Sequence, residues 1–582
     1  MAHVRLLQSL LASFGLVLLG TACGSESPKR ANVLLISLDS TRRDMLSLYG
    51  YKSVRAPEAS NTPHLEALAA GGVVMEEAYS SCSWTLPSHV SMLLGQSELV
   101  HSVDLDHQRP NSKFTPLPEI LQDAGYRTAG FYSGPYLEPQ YGFERGFDLY
   151  KSCYGNMAAQ SDELLRYARH NLKLAEESGD AARIVQAKDA EKNADHANRK
   201  IALTTVSSEV VTDAVLTELE DMAAGDAPFF LFAHYFDPHY DYVAPEPFNS
   251  LFDPEYQSTT NLEDFLDNPT ISVRQDSWPF RRQRVVSDRD LEHILSLYAG
   301  EIAWTDAQLG RIFGKLEELG LAEDTLIVVT SDHGDEFFEH DGIGHRSTLF
   351  EELVQVPMVL RFPGRLPAGE RRSGLVSTVD IVPTVLELLD IEAPANLSSS
   401  SFLNVASGES KGYDRFLFNR LVRNTFGRVF VPGQEEVDVL AMRLTLLETY
   451  RAGSIKITRE RSWATMEEEL APDLAAAFEK QANVVRDREI LHWIDLEHSP
   501  EEALEDHSED FKNPRAAAAL KSFQEHYTFL LSRRERAQMV EASAEGSSTS
   551  ALEALGYTGA GAGGSDLSNE EKFVFPPPGE NL

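Results

Sequence analysis

Three short apolar runs in this chain each end in side chains that can hold a metal ion. Val33-Leu34-Leu35-Ile36-Ser37-Leu38 runs into Asp39, Phe229-Phe230-Leu231-Phe232-Ala233 into His234, Asp237 and His239, and Leu326-Ile327-Val328-Val329-Thr330 into Asp332 and His333. Carboxylate oxygens suit hard divalent cations, and a mixed set of carboxylate and imidazole also suits zinc or manganese. Continuous apolar runs of this length, flanked by helical patterns, predict buried parallel strands. In open α/β sheets ligands bind at the carboxyl ends of the strands. The three clusters, far apart in sequence, are therefore expected to meet on one sheet edge.

Between the first two runs lies Ser81-Cys82-Ser83-Trp84-Thr85-Leu86-Pro87-Ser88-His89-Val90-Ser91-Met92-Leu93-Leu94-Gly95. It resembles the nucleophile segment of the sulfatases, whose motif runs Cys-x-Pro-Ser-Arg and closes on Leu-x-Gly. Pro87, Ser88 and Gly95 keep that spacing, Thr85 stands in the nucleophile slot and His89 replaces the arginine. In the sulfatases the cysteine becomes formylglycine, whose hydrate attacks sulfur and expels sulfate by collapsing to the aldehyde. Threonine has no such exit. A metal-activated threonine can still attack a tetrahedral ester and leave a covalent intermediate for water to hydrolyse, as in other branches of the alkaline-phosphatase superfamily that act on phosphorus. Counting the motif from Cys82 instead puts Trp84 in the proline slot and Leu86 in the arginine slot.

The resemblance assigns further roles. Asp39-Ser40 falls where the family's first acidic residues bind a divalent cation, with Ser40 in place of the second acid. Asp332-His333-Gly334-Asp335 is similar to the other metal-binding motif, which makes Asp39, Ser40, Thr85, Asp332 and His333 the implied metal set. The family implies calcium, the donor types leave zinc or manganese open, and His234 with Asp237 could form part of a second metal site. His239 matches a histidine that contacts the ester or protonates the leaving group. His345 and Arg346, in Gly344-His345-Arg346-Ser347-Thr348, match a segment that sets a basic side chain beside the substrate, and Glu351 and Glu352 read as a helix start. If Thr85 caps a helix beginning at Leu86 or Pro87, backbone amides face the substrate oxyanion. His89, one turn on, then either bonds the nucleophile or substrate, or is a buried polar residue.

The elements that position these residues can be laid out along the chain. The resemblance implies an α/β/α sandwich with a mostly parallel central sheet over about 30–400 and a smaller C-terminal α+β unit over about 401–557. Residues 151–200, rich in Ala, Glu, Asp, Lys and Arg, predict an inserted helical hairpin, with Ser161 as its cap and Gly179 as a helix end. Asp414–Val422 and Ser454–Arg459 predict strands, Ala516–Arg533 a helix, and Glu489–Pro500 and Ala551–Tyr557 resemble the family's C-terminal hairpin and ending. The Gly-, Ser- and Pro-rich tail at 558–582 is expected to be disordered.

His3, Arg5, the apolar run Leu6–Leu19 and Gly20-Thr21-Ala22-Cys23 resemble a bacterial lipoprotein signal over residues 1–23, with Cys23 as the lipidated residue. An uncleaved anchor or an ordinary secretory signal is the alternative; the rest of the chain is expected to be extracytoplasmic, in the periplasm or cell envelope. Cys82 and Cys153 then remain and could pair. The 582 residues carry 90 acidic and 52 basic side chains, a net charge of -38 that argues against nucleic acid or an anionic membrane as partner. Expected partners are a small-molecule or glycan ester, with membrane contact only through the lipid. The expected function is metal-dependent hydrolysis of a sulfate or phosphate ester through Thr85. Phosphodiester hydrolysis, phosphoethanolamine-type transfer and a non-catalytic lipid-anchored binding protein are the alternatives.

Overall fold

The computed structural model describes residues 30–105, 108–153, 208–239, 242–256, 286–340, 342–412, 415–428, 440–465, 488–500 and 508–534, with short pieces between 167 and 190, residue 502 and residues 540–541. The expected signal at 1–23, most of the expected helical hairpin at 151–200, Ala551–Tyr557 and the 558–582 tail lie outside the described residues. Contacts group Ala31–Leu582 as one compact unit.

Eight strands form the main sheet: β1 Asn32–Leu38, β2 Val73–Tyr79, β3 Arg127–Tyr132, β4 Leu149–Ser152, β5 Phe229–Tyr235, β6 Thr325–Ser331, β7 Met358–Arg361 and β8 Glu370–Ser377. Their spatial order is β8-β2-β7-β6-β1-β5-β3-β4. All neighbours pair in parallel except β7, which runs antiparallel to both β2 and β6. β1, β5 and β6 are buried at every position, as expected for central strands covered on both faces.

The pleat sends alternate side chains to opposite sides. Val33, Leu35, Phe230, Phe232, Leu326 and Val328 join one core, with helices α2 Thr85–Leu94, α3 Leu117–Asp123 and α6 Ile381–Leu388. Leu34, Ile36, Phe229, Leu231, Ile327 and Val329 join the other, under α1 Pro63–Ala70, α4 Ser208–Ala223 and α5 Asp288–Glu318. The result is the expected α/β/α sandwich. Cys82 packs in the first core and Cys153 in the second. Both are free and buried, so the possible disulfide does not form; the sheet stands between them.

The C-terminal part is an antiparallel sheet, β9 Phe416–Arg428, β10 Leu440–Ala452, β11 Ile455–Thr465 and β12 Arg488–Asp495, in sequential order. Helix α7, Pro514–Arg533, begins where Asn513 accepts hydrogen bonds from the amides of Arg515 and Ala516. Its Phe523 and Tyr527 join Phe418, Leu447 and Tyr450 in the same core as α2. Two strands and the helix expected from the sequence are present, with β9 and β11 running further than the sequence suggested.

Candidate active site

Register places the chemistry-bearing residues level with one another. Leu38 of β1 is opposite both Tyr235 of β5 and Ser331 of β6. The residues at or just past these strand ends, His234, Asp39, Asp332 and His333, therefore share one rim of the sheet. The Asp39 amide donates to the Tyr235 carbonyl at 2.8 Å, which fixes the chain as it leaves β1.

Helix α2 brings Thr85 to this rim from another part of the chain. The helix starts one residue earlier than expected: Thr85 is its first residue and Trp84, in extended conformation, is the N-cap. Thr85 Oγ1 lies 3.4 Å from Asp39 Oδ2 and 3.3 Å from His333 Nε2. The motif serine pins the helix in place, since Ser88 Oγ donates to the Asp332 carbonyl at 2.7 Å and meets Ser80 Oγ at 2.9 Å.

The donor set fits a divalent cation. Metal-ligating atoms of Asp39, Asp332 and His333 all lie within 4.8 Å of one another, and all three side chains are fully buried. Asp332 Oδ1 accepts from the amides of Ser40 at 3.1 Å and His333 at 2.8 Å, whereas Oδ2 has no hydrogen-bond partner among the described residues. Burial, and then the charge of Asp39, push the Asp332 carboxyl well above the usual range. A buried unpaired oxygen of this kind is costly unless a cation meets it. His333 Nδ1 donates to the Gly334 carbonyl at 3.0 Å, which leaves the lone pair on Nε2, the nitrogen facing Thr85. Ser40 hydrogen-bonds both carboxylates, its hydroxyl to Asp39 Oδ1 at 2.8 Å and its amide to Asp332.

His89 is fully buried. Its Nδ1 donates to the Thr85 carbonyl at 2.9 Å and its Nε2 accepts from Ser37 Oγ at 2.8 Å. Burial and the neighbouring His234 push its pKa down to about 3. His89 thus touches the backbone of Thr85 and not its hydroxyl. His234 is fully buried with Nε2 3.4 Å from Asp39 Oδ2, and neither of its ring nitrogens has a hydrogen bond among the described residues. Asp237 is drawn away to the start of α4, where it accepts from the amide and the hydroxyl of Ser208, both at 2.7 Å. Neither His234 nor Asp237 belongs to the groups of three or more described His and acidic side chains whose ligand atoms lie within 4.8 Å of one another.

The remaining basic residues extend outward from the metal set. His345 is buried with its ring centroid 4.3 Å from that of His333 and 5.1 Å from that of His239. His239 stacks on Phe236 at 4.2 Å. Arg346 takes a left-handed backbone (φ 72°), and its guanidinium lies 4.1 Å from the ring of Trp84, the residue before Thr85. Its amide donates to the Ser83 carbonyl at 3.0 Å, tying this segment to the one that carries Thr85. Sequence reasoning passed over Asp335, which meets His345 Nδ1 at 2.7 Å, and Tyr242, whose hydroxyl donates to Asp335 at 2.8 Å. Asp335 stood inside a recognised motif and was the findable one; nothing near Tyr242 in sequence marks it.

The family model described as Sulfatase matches residues 31–391, from β1 through α6. The chain belongs to the sulfatase family. It is 24% identical over 419 residues to the uncharacterized sulfatase YidJ of Escherichia coli, covering 69% of this chain and 76% of that protein. To the iduronate 2-sulfatase of Mus musculus it is 24% identical over 451 residues, covering 68% and 75%. Its fold is also that of the phosphonate monoester hydrolase of Agrobacterium radiobacter, with a TM-score of 0.57 at 20% identity over 87% of this chain and 96% of the other. This sulfatase-family hydrolase therefore carries the family's sheet; members of the family bind a divalent metal, and Asp39, Asp332 and His333 form a candidate cluster for one.

Proposed function

We propose that the protein hydrolyses sulfate or phosphorus esters with Thr85 as nucleophile and a divalent cation held by Asp39, Asp332, His333 and Thr85. The observation that carries this reading is the placement of Thr85 Oγ1 within 3.4 Å of Asp39 Oδ2 and 3.3 Å of His333 Nε2, beside the unpartnered Asp332 Oδ2. When bound, the cation lowers the pKa of the threonine hydroxyl and draws charge from the ester oxygens. The donor set suits zinc or manganese as well as calcium.

The rest of the chemistry belongs to the chain. Thr85 gives its hydroxyl proton to water as Oγ1 forms the new bond to sulfur or phosphorus, and the bond to the leaving alcohol breaks. In this reading His239 gives that alcohol its proton, Arg346 offsets charge on the transferred group, and His345 meets the ester as a neutral ring. Water then hydrolyses the ester on Thr85. His89 contributes by holding the Thr85 carbonyl, and so the first turn of α2, at a fixed height over β1.

Substrate type is supported from two directions. Relatives are named as sulfatases and a fold neighbour as a phosphonate monoester hydrolase. A threonine ester cannot collapse to an aldehyde, which favours phosphorus, where hydrolysis of the intermediate needs only water. The apolar run Leu6–Leu19 and the small residues before Cys23 support an enzyme exported and held by lipid at Cys23, a point that mass spectrometry of the mature amino terminus decides.

The deciding experiment is to quench turnover of paired aryl sulfate and aryl phosphonate substrates and map the modified peptide. The expected result is a sulfo or phosphono group on Thr85, with Thr85→Ala losing on the order of 10⁴-fold or more in kcat while keeping its metal. An active Thr85→Ala variant, or formylglycine at position 82, would sink the proposal.

A further inference from the structure

Asp335 lies between two donors, His345 and Tyr242. It is fully buried, its Oδ1 is 2.7 Å from His345 Nδ1, and its Oδ2 accepts from the Tyr242 hydroxyl at 2.8 Å. Its carbonyl accepts from Arg42 Nη1 at 3.1 Å, so backbone and side chain are both held. Tyr242 is itself fixed, its ring 5.2 Å from that of Tyr298 and 5.7 Å from that of Phe337.

These contacts have a chemical consequence for His345. With Oδ2 engaged by the Tyr242 hydroxyl, Oδ1 is the acceptor that faces His345 Nδ1, so Nδ1 carries the proton and the neutral ring has its lone pair on Nε2. An unconstrained imidazole holds no such fixed tautomer or direction. We propose that Asp335, backed by Tyr242, is a positioning residue that fixes the Nδ1–H tautomer of His345 and aims its ring between His333 and His239. The inference rests on the reading of His345 as a group that meets the ester. Ligand atoms of His333, Asp335 and His345 also lie within 4.8 Å of one another, as a second cation site would need. Both Asp335 oxygens, however, are already taken by protein donors, and this favours the hydrogen-bonded chain.

The test uses the full chain, metal-loaded and labelled with ¹⁵N-histidine, with the His345 ring signals assigned by their loss in His345→Gln. In the wild type the signals should show Nδ1 protonated. Asp335→Ala should move them toward the Nε2–H form, Asp335→Asn should restore the wild-type pattern because the amide oxygen still accepts, and Tyr242→Phe should give a partial shift. On whichever aryl sulfate or phosphonate is turned over, Asp335→Ala should lower kcat by about 10–100-fold, as for other groups that orient a site histidine, with KM little changed and metal content equal to wild type. Unchanged His345 signals in Asp335→Ala overturn the proposal, as does loss of a second metal equivalent in that variant. Should Asp335→Ala fail to fold, unshifted signals in Tyr242→Phe overturn it instead. Wild-type turnover by His345→Gln would remove His345 from the functional reading, while the ring signals still decide whether Asp335 sets its tautomer.

Discussion

Asp332 shows at the scale of one residue how burial and function are joined. One of its oxygens is satisfied by two amides, and the other lies 3.4 Å from His333 Nε2 and 3.5 Å from His89 Nδ1 with no hydrogen bond among the described residues. Without the cation, two carboxylates stand in a dry site, and repulsion plus desolvation disfavour the folded state. Chelation should therefore lower the melting temperature of the wild-type protein. Cation at 100 times its dissociation constant contributes about 2.7 kcal/mol through linkage. Asp332→Ala should lose the metal by elemental analysis, lose turnover, and show a melting temperature that no longer responds to chelator. Full metal occupancy and activity in that variant would remove Asp332 from the site. Ser40, standing where the family has an acid, hydrogen-bonds Asp39 through its hydroxyl and Asp332 through its amide.

At the scale of elements, helix α2 carries Thr85 at one end and needs Gly95 at the other. Gly95 has φ 62°, its amide closes on the Ser91 carbonyl, and a Cβ there would meet Val382 Cβ at 3.0 Å and Ser399 Oγ at 3.1 Å. The glycine of the sequence motif is thus required by a left-handed turn packed against α6 and the 396–401 segment. Gly95→Ala should cost about 1–2 kcal/mol in urea unfolding, and a variant as stable as wild type would refute that account. The segment after β6 has its own support in His340, whose Nδ1 meets Glu352 Oε1 at 2.7 Å while its ring stacks on Phe350. Burial alone would lower this histidine's pKa, but the hydrogen bond and charge of Glu352, with Glu336, outweigh it and raise the pKa from 6.5 to about 9. A histidine raised on folding binds more protons in the native state between those values, so its stabilisation is complete below about pH 6.5 and is lost as pH rises through about 9. The difference in unfolding free energy between wild type and His340→Gln should shrink across that window. A difference that is flat or grows with pH would contradict the pairing.

At the scale of the whole molecule, the apolar core shared by the C-terminal sheet and the sandwich is accompanied by buried charges. Lys456 of β11 donates to the Leu349 carbonyl at 2.7 Å and pairs with Glu351 at 3.0 Å and Glu502 at 2.9 Å. Glu502 in turn accepts from the Glu351 amide at 2.7 Å. Arg420 of β9 spans Asp104 and Glu448 in the same way. The segment that presents His345 and Arg346 is followed within a few residues by this anchor, so the C-terminal sheet helps place the basic side of the site. Removing one partner of a buried pair leaves the others uncompensated, and Lys456→Met should cost about 3–5 kcal/mol. An unchanged urea midpoint would show that the pair contributes nothing.

By itself the sequence determined the parts of this protein whose signals are local. An apolar run ending in Asp39, in His234 or in Asp332-His333 marks a buried strand and its functional end, because burial and strand length are written in consecutive residues. The Thr85 segment was likewise legible from the spacing of Pro87, Ser88 and Gly95. Only the tertiary structure decided what depends on register and on which elements are neighbours. It set β1 between β5 and β6, turned Asp237 to Ser208, gave His89 to Ser37 and the Thr85 carbonyl, and put Cys82 and Cys153 on opposite sides of the sheet. Asp335 and Tyr242 are 93 positions apart and meet through their side chains. A hydrogen bond acts over about 3 Å of space, and chain separation carries no information about it until the sheet has formed.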